Sequence, residues 1–184
     1  MIVLASQSPR RSEILRQAGI PFVARPANVD ESALPGESPE DYVKRVACDK
    51  VLATGAAPGE IALGADTVVV IDGEILGKPA ASADAARMLS LLAGREHQVL
   101  TGICLRRGDE IVIECARTRV WFKPLTREEI VDYIATGEPM DKAGAYAIQG
   151  LASKFIERIE GSYTNVVGLP IELVRQVLRK MEGV

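Results

Sequence analysis

Four apolar residues near the start of the chain, Ile2-Val3-Leu4-Ala5, run through Ser6-Gln7-Ser8-Pro9 into a segment that stops at Gly19. The first run has the length and character of a buried strand. Ser8 offers the hydroxyl of an N-cap, Pro9 suits the first helical position, and Ile14, Leu15 and Ala18 recur at helical spacing. The chain therefore opens strand, tight turn, helix, and whatever follows must cover both.

Phe22 to Arg25 resembles a second strand, and the polar stretch from Asn28 to Pro39 reads as an exposed loop. A helix is predicted from Pro39 to Ala53, carrying Tyr42, Val43, Val46, Ala47 and Lys50. Ile61 to Ile71 turns at Asp72-Gly73 and returns through Glu74-Ile75-Leu76, a hairpin. Ser82 is expected to cap a helix with Met88, Leu89, Leu91 and Leu92 on its buried side and Gly94 at its close. Runs from His97 to Arg106 and from Glu110 to Phe122 form a second hairpin about Arg107-Gly108-Asp109. Thr126 with Glu129 makes a capping box for a helix to about Ala135. Strands are expected at Tyr146-Ala147-Ile148 and from Phe155 to Ile159, then a helix from Pro170 to about Met181. Strands alternate with helices, yet several neighbours are hairpins, so the sheet should be mixed. No linker or repeat interrupts it, which implies a single domain over residues 1–184.

The composition narrows the function. With 22 Lys+Arg against 25 Asp+Glu in 184 residues and 4% aromatics, neither a general pull toward nucleic acid or anionic lipid nor a row of base-stacking rings is present. No apolar run approaches a membrane span, and the N-terminus has no secretion signal, so the expected address is the cytoplasm. Cys48, Cys104 and Cys115 are widely spaced and read as small core residues in a reducing compartment. His97 is the single histidine, so a bound metal should be hard and oxygen-ligated.

Positive charge for a phosphate must then be gathered locally. Ser6, Ser8, Arg10 and Arg11 stand at a strand-to-helix junction, where backbone N–H groups and the helix dipole favour an anion; a routine cap with solvated arginines is the plain alternative. Asp66, inside an apolar strand, needs a partner, a hydrogen bond or a metal. Lys78, at the return end of the first hairpin, could reach the same cleft as Asp66; a solvated strand-end lysine is the plain alternative. Asp30 and Glu31 lie in an acidic loop of the kind that is usually just solvated. Lys50 sits on a helix whose other face is apolar, a place more often surface than site. Small residues around Gln149 would let a flat ligand approach, and its amide could meet a base edge; a Gly-rich connection with a core Tyr is the plain alternative. A Ser-His-Asp triad using His97 is rejected for want of a nucleophile elbow.

Six blocks in order resemble the Maf family of nucleotide pyrophosphatases: Leu4 to Arg11, Gly64 to Val69, Leu76-Gly77-Lys78-Pro79, Leu92 to Val99, Asp141 to Gly150 and Gly161 to Pro170. The branch acting on dTTP and UTP is distinguished by an arginine, a threonine and a glutamine at the places filled here by Arg10, Thr67 and Gln149. The resemblance implies an α/β fold like that of Maf and inosine-triphosphatase proteins: a mixed twisted sheet with flanking helices, and two lobes around a central cleft. It implies hydrolysis between the α and β phosphates, yielding a nucleoside monophosphate and pyrophosphate with Mg²⁺ or Mn²⁺. On that basis Asp66 is the proton acceptor and, with Glu31 or its rival Asp30, the metal anchor. Ser6, Ser8, Arg10, Arg11, Lys50 and Lys78 would bind the phosphates. A homodimer is the partner expectation, with no nucleic acid and no membrane. The alternative is a non-catalytic nucleotide-binding regulator of septum formation, which would need only the anion pocket.

Overall fold

The structure is a computed structural model and describes residues 1–183. In order, the elements are β1 (Ile2–Leu4), α1 (Pro9–Gln17), β2 (Phe22–Ala24), α2 (Pro39–Ala53), β3 (Ile61–Ile71), β4 (Glu74–Leu76), α3 (Ser82–Leu92), β5 (Glu96–Arg107), β6 (Glu110–Phe122), α4 (Arg127–Ala135), three 3₁₀ turns between Glu138 and Phe155, β7 (Ile156–Glu160), α5 (Tyr163–Val167) and α6 (Ile171–Glu182). The seven strands form one sheet in the order β2-β1-β3-β5-β6-β7, with β4 added to β3. β1 runs parallel to both β2 and β3, whereas β4 and β7 pair antiparallel with β3 and β6. The sheet is mixed, as the interleaving of hairpins and crossover helices requires.

The chain divides into two compact units. The first holds Met1–Thr67, Thr101–Ala116 and the residues from Gly168 on; the second holds Val68–Leu100 and Arg117–Val167. β3, β5 and β6 each begin in one unit and finish in the other.

In the first unit, α2 lies unusually close to the sheet. A Cβ on Gly64 of β3 would sit 2.3 Å from the Ala47 carbonyl oxygen, and one on Gly102 of β5 would sit 2.3 Å from that of Val43. Both contacts are impossible for any residue with a side chain, so two glycines set the depth at which α2 docks. Val43, Val46, Ala47 and Val51 bury the helix's inner face, and each large side chain so buried contributes about 1.5–3 kcal/mol. In the second unit the core is aromatic. Phe122 packs against Tyr146 and Phe155, and Tyr133 meets Phe155 edge to face.

Two expected details differ. Ser82 is the first helical residue of α3 rather than its cap; Ala81 holds the cap position, and the Asp84 carboxylate reaches back to accept from Ala80 N–H at 3.1 Å. Tyr146-Ala147-Ile148 is no strand. It leaves a 3₁₀ turn in which Gly144 (φ 68°) and Ala145 (φ 61°) are both left-handed, and Ala147 N–H donates to the Tyr133 hydroxyl (3.3 Å) instead of to a strand. Among the described residues, no helix is long and apolar enough to cross a membrane.

Candidate active site

The first unit brings together residues from four elements. Ser8 caps α1, its hydroxyl accepting from Arg11 N–H, and the Ser6 hydroxyl accepts from Ser8 N–H at 3.2 Å. Arg11 then folds back across the sheet. Its Nε donates to the Gly168 carbonyl (2.8 Å), Nη1 to Ser6 Oγ (3.1 Å) and Nη2 to Thr67 Oγ1 (3.2 Å), and the Thr67 hydroxyl also meets that of Thr101 at 2.9 Å. Three of the five guanidinium N–H groups are thus engaged by protein. Burial holds Arg11 below its ordinary pKa while Asp66 opposes that shift. A cation fixed this way at a helix N-terminus works against the helix dipole, a placement that an incoming anion turns to advantage.

Behind this junction lies an acidic pair around one lysine. Lys50 Nζ donates to Asp66 Oδ1 at 2.8 Å and stands 2.8 Å from Glu31 Oε1. Lys50 is only 8% exposed and Asp66 7%, so α2 turns this lysine inward, not to solvent. Burial pushes the Asp66 carboxyl above the usual carboxylate range, with Lys50 and Arg11 pulling it back.

The loop before α2 is held in place. Tyr42 hydroxyl donates to the Glu31 carbonyl at 2.7 Å, and Arg45 Nη2 donates to that of Ser32 at 2.9 Å. Burial and the neighbouring Asp66 and Glu31 charges push the Tyr42 phenol up to about 12, so it stays a donor. Sequence reasoning missed this part of Tyr42, which it places on the helix without a role. Of the two acidic neighbours, Glu31 reaches Lys50, while Asp30 Oδ1 accepts from Ser32 N–H at 2.9 Å in a local turn.

Glu31 and Asp66 converge on a single positive charge, and among the described residues no cluster of three or more His, Cys, Asp or Glu forms a fuller cage. Two carboxylate oxygens fit a hard divalent cation that completes its shell with water and phosphate oxygens. Arg10, half-buried, follows Pro9 on the first turn of α1.

Lys78 and Gln149 belong to the second unit, and both are exposed. The β3–β4 ladder ends at Val69–Leu76, so Lys78 lies beyond the paired residues. The turn that precedes it is tied down, since Gly144 N–H donates to the Gly77 carbonyl at 3.0 Å. His97 is buried, its Nε2 2.7 Å from the Tyr146 hydroxyl, in the aromatic core of the second unit.

Fold and site define a mixed α/β protein whose first unit has a serine-capped helix start with a buried arginine and two carboxylates on one lysine. The chain belongs to the Maf family: residues 1–181 match the model of the Maf-like protein. It is 56% identical over 178 residues to a dTTP/UTP pyrophosphatase of Symbiobacterium thermophilum, covering 96% of this chain and 92% of that one. Against the dTTP/UTP pyrophosphatase of Citrifermentans bemidjiense the identity is 56% over 181 residues, with 97% and 94% covered. Among solved structures, the Ham1 protein of Staphylococcus aureus superposes with a TM-score of 0.57 at 15% identity, covering 98% of each chain. A HAM1 protein from Coxiella burnetii gives 0.53 at 19%, covering 97% of this chain and 98% of that one. At these identities the structural likeness concerns the fold.

Proposed function

We propose that this chain is a nucleoside triphosphate pyrophosphatase for dTTP and UTP, adding water across the α–β phosphoanhydride to give a nucleoside monophosphate and pyrophosphate. The names of its relatives support the substrate, and one observation carries the chemistry: the buried Asp66 carboxylate faces a fixed cation beside a second carboxylate, Glu31.

Asp66 accepts the proton of the attacking water, which its raised pKa favours. Arg11, anchored by Ser6, Thr67 and Gly168, presents its charge at the start of α1 without having to be ordered during the reaction. Lys50 and Ser8 add donors to the phosphate chain, and the family resemblance adds Lys78 to that set. Thr67 acts on selectivity through Arg11, whose guanidinium it holds, and Arg10 and Gln149 act on the base. Mg²⁺ or Mn²⁺ would be held by Glu31 and Asp66, and when bound it neutralises charge developing on the phosphate oxygens. A cytoplasmic homodimer belongs to the same proposal, on the strength of the family resemblance and of three free thiols.

Pyrophosphate release from a panel of pyrimidine and purine triphosphates with Mg²⁺ or Mn²⁺ tests the reading. Release that is fastest with dTTP and UTP supports it. Tight binding without release would favour the non-catalytic regulator instead.

A further inference from the structure

The segment that carries Gln149 is clamped from behind by groups that the proposed reaction does not use. Tyr133, on α4, is buried, and its hydroxyl donates to Glu138 Oε1 at 2.7 Å while accepting from Ala147 N–H at 3.3 Å. The other carboxylate oxygen, Glu138 Oε2, accepts from Leu151 N–H at 3.1 Å. Gln149 therefore sits between two backbone N–H groups, at Ala147 and Leu151, that are both held by one Tyr–Glu pair. One residue earlier the Tyr146 hydroxyl meets His97 Nε2. Glu138 is itself fixed, because its N–H donates to Thr136 Oγ1 at 3.2 Å and that hydroxyl donates to the Tyr133 carbonyl at 2.6 Å.

Glu138 packs directly on Gly150. A Cβ on Gly150 would lie 2.4 Å from both carboxylate oxygens of Glu138, so the carboxylate occupies the space a side chain would take. Gly150 is at φ −103°, which any residue adopts, so the requirement for glycine here comes from Glu138 and not from the backbone.

We infer that Glu138 and Tyr133 are positioning residues for base selection: they fix the Ala147–Leu151 segment so that Gln149 presents its amide in one orientation. This rests on the reading of Gln149 as a base-contacting residue. An exposed glutamine on an untethered turn would sample many orientations, and discrimination between bases needs a donor and an acceptor held in one place. Neither residue belongs to the set proposed to bind the phosphates, so loosening the clamp should alter base choice and leave the chemical step alone.

The test compares Glu138→Ala, Glu138→Gln, Tyr133→Phe and Gly150→Ala with the parent chain and with Gln149→Ala. Three readouts are taken: kcat and KM for dTTP, the ratio of kcat/KM for dTTP to that for purine triphosphates, and hydrogen exchange at the Ala147 and Leu151 amides. Glu138→Ala should raise KM for dTTP and lower the selectivity ratio about 10-fold each, with kcat within about twofold, and speed exchange at both amides. Glu138→Gln should restore much of the selectivity, since its carbonyl can still accept from Leu151 N–H and its amide can donate to the Tyr133 oxygen. Gly150→Ala should mimic Glu138→Ala. In the Glu138→Ala background it should cost little more, because the group its methyl would strike is gone.

A general loss of packing would slow all substrates together and leave the ratio unmoved, which would overturn the inference. So would faster amide exchange without any change in selectivity while Gln149→Ala does change it. If Gln149→Ala leaves selectivity untouched, the base-contact reading fails by itself, and the exchange data still decide whether Glu138 holds the segment.

Discussion

Lys50 Nζ lies 2.8 Å from Asp66 Oδ1 and the same distance from Glu31 Oε1, so one buried ammonium holds two carboxylates that arrive from different parts of the chain. The two contacts are unequal in setting. The Asp66 and Lys50 side chains are each 10% exposed, whereas that of Glu31 is 51% exposed and its pairing is weakened by solvent.

Replacing Asp66 by Asn tests the proton acceptor. The Asn carbonyl can still accept from Lys50 Nζ and Glu31 remains as an ion pair, so the chain should still fold, with a lowered thermal midpoint. Turnover should fall at least ~100-fold, on the scale of lost general-base catalysis. Pyrophosphate release within a few fold of the parent's would remove Asp66 from that role.

Lys50→Met should behave differently. It leaves Asp66 buried without its cation, and breaking a buried pair from one side costs about 3–5 kcal/mol. Urea unfolding should show that loss, and Lys50→Met combined with Asp66→Asn should recover part of it. A double variant no more stable than Lys50→Met alone would mean the pair is not coupled.

Glu31→Gln addresses the divalent ion. The amide keeps the size and removes the charge, so the Mn²⁺ concentration needed for half-maximal turnover should rise about 10-fold or more, with Asp30→Asn leaving it unchanged. An equal response from both variants would contradict the assignment. Removing divalent ions with EDTA should abolish turnover in the parent, and added Mg²⁺ or Mn²⁺ should restore it.

Gly64→Ala probes the docking of α2. A methyl 2.3 Å from the Ala47 carbonyl oxygen and 2.8 Å from a Val51 methyl cannot be accommodated, so the helix must lift and carry Lys50 with it. We expect a loss of about 1–3 kcal/mol in stability and a larger fall in kcat than any surface Gly→Ala change gives. Normal kcat in a stably folded Gly64→Ala would show that Lys50 needs no such placement.

His97 gives a pH signature of stability. Burial lowers its pKa from 6.5 to about 3, so between these values the unfolded chain binds a proton that the folded chain does not. Stability should then fall as pH drops through that window, by up to about 1.4 kcal/mol per pH unit from this residue, and be independent of it above pH ~7. His97→Gln, which can still meet the Tyr146 hydroxyl, should flatten the urea midpoint between pH 6 and 4. The same slope in both chains would assign the effect to other groups.

The sequence carried those parts of the fold whose partners lie close along the chain. Ser8 three residues before Arg11, Thr126 three before Glu129, and Asp72-Gly73 between two apolar runs each announce a local structure that needs nothing from elsewhere. The inward turn of Lys50 was not legible, because it depends on how deeply α2 settles onto Gly64 and Gly102, which the sequence places far away. Tyr146-Ala147-Ile148 has the apolar character of a short buried strand, but tertiary partners claimed its polar groups: His97 the Tyr146 hydroxyl, and Tyr133 the Ala147 N–H. Glu138 left no mark at all beyond a glycine twelve residues downstream, and glycine has too many uses to single that one out.

Neither compact unit is an uninterrupted stretch of polypeptide, since the backbone passes between them at 67/68, 100/101, 116/117 and 167/168. No trimming from either end can release one without leaving three strands broken mid-length. Gene fission or domain shuffling therefore has no purchase here. Both units must be inherited as one piece, and either can drift only by point replacement within it.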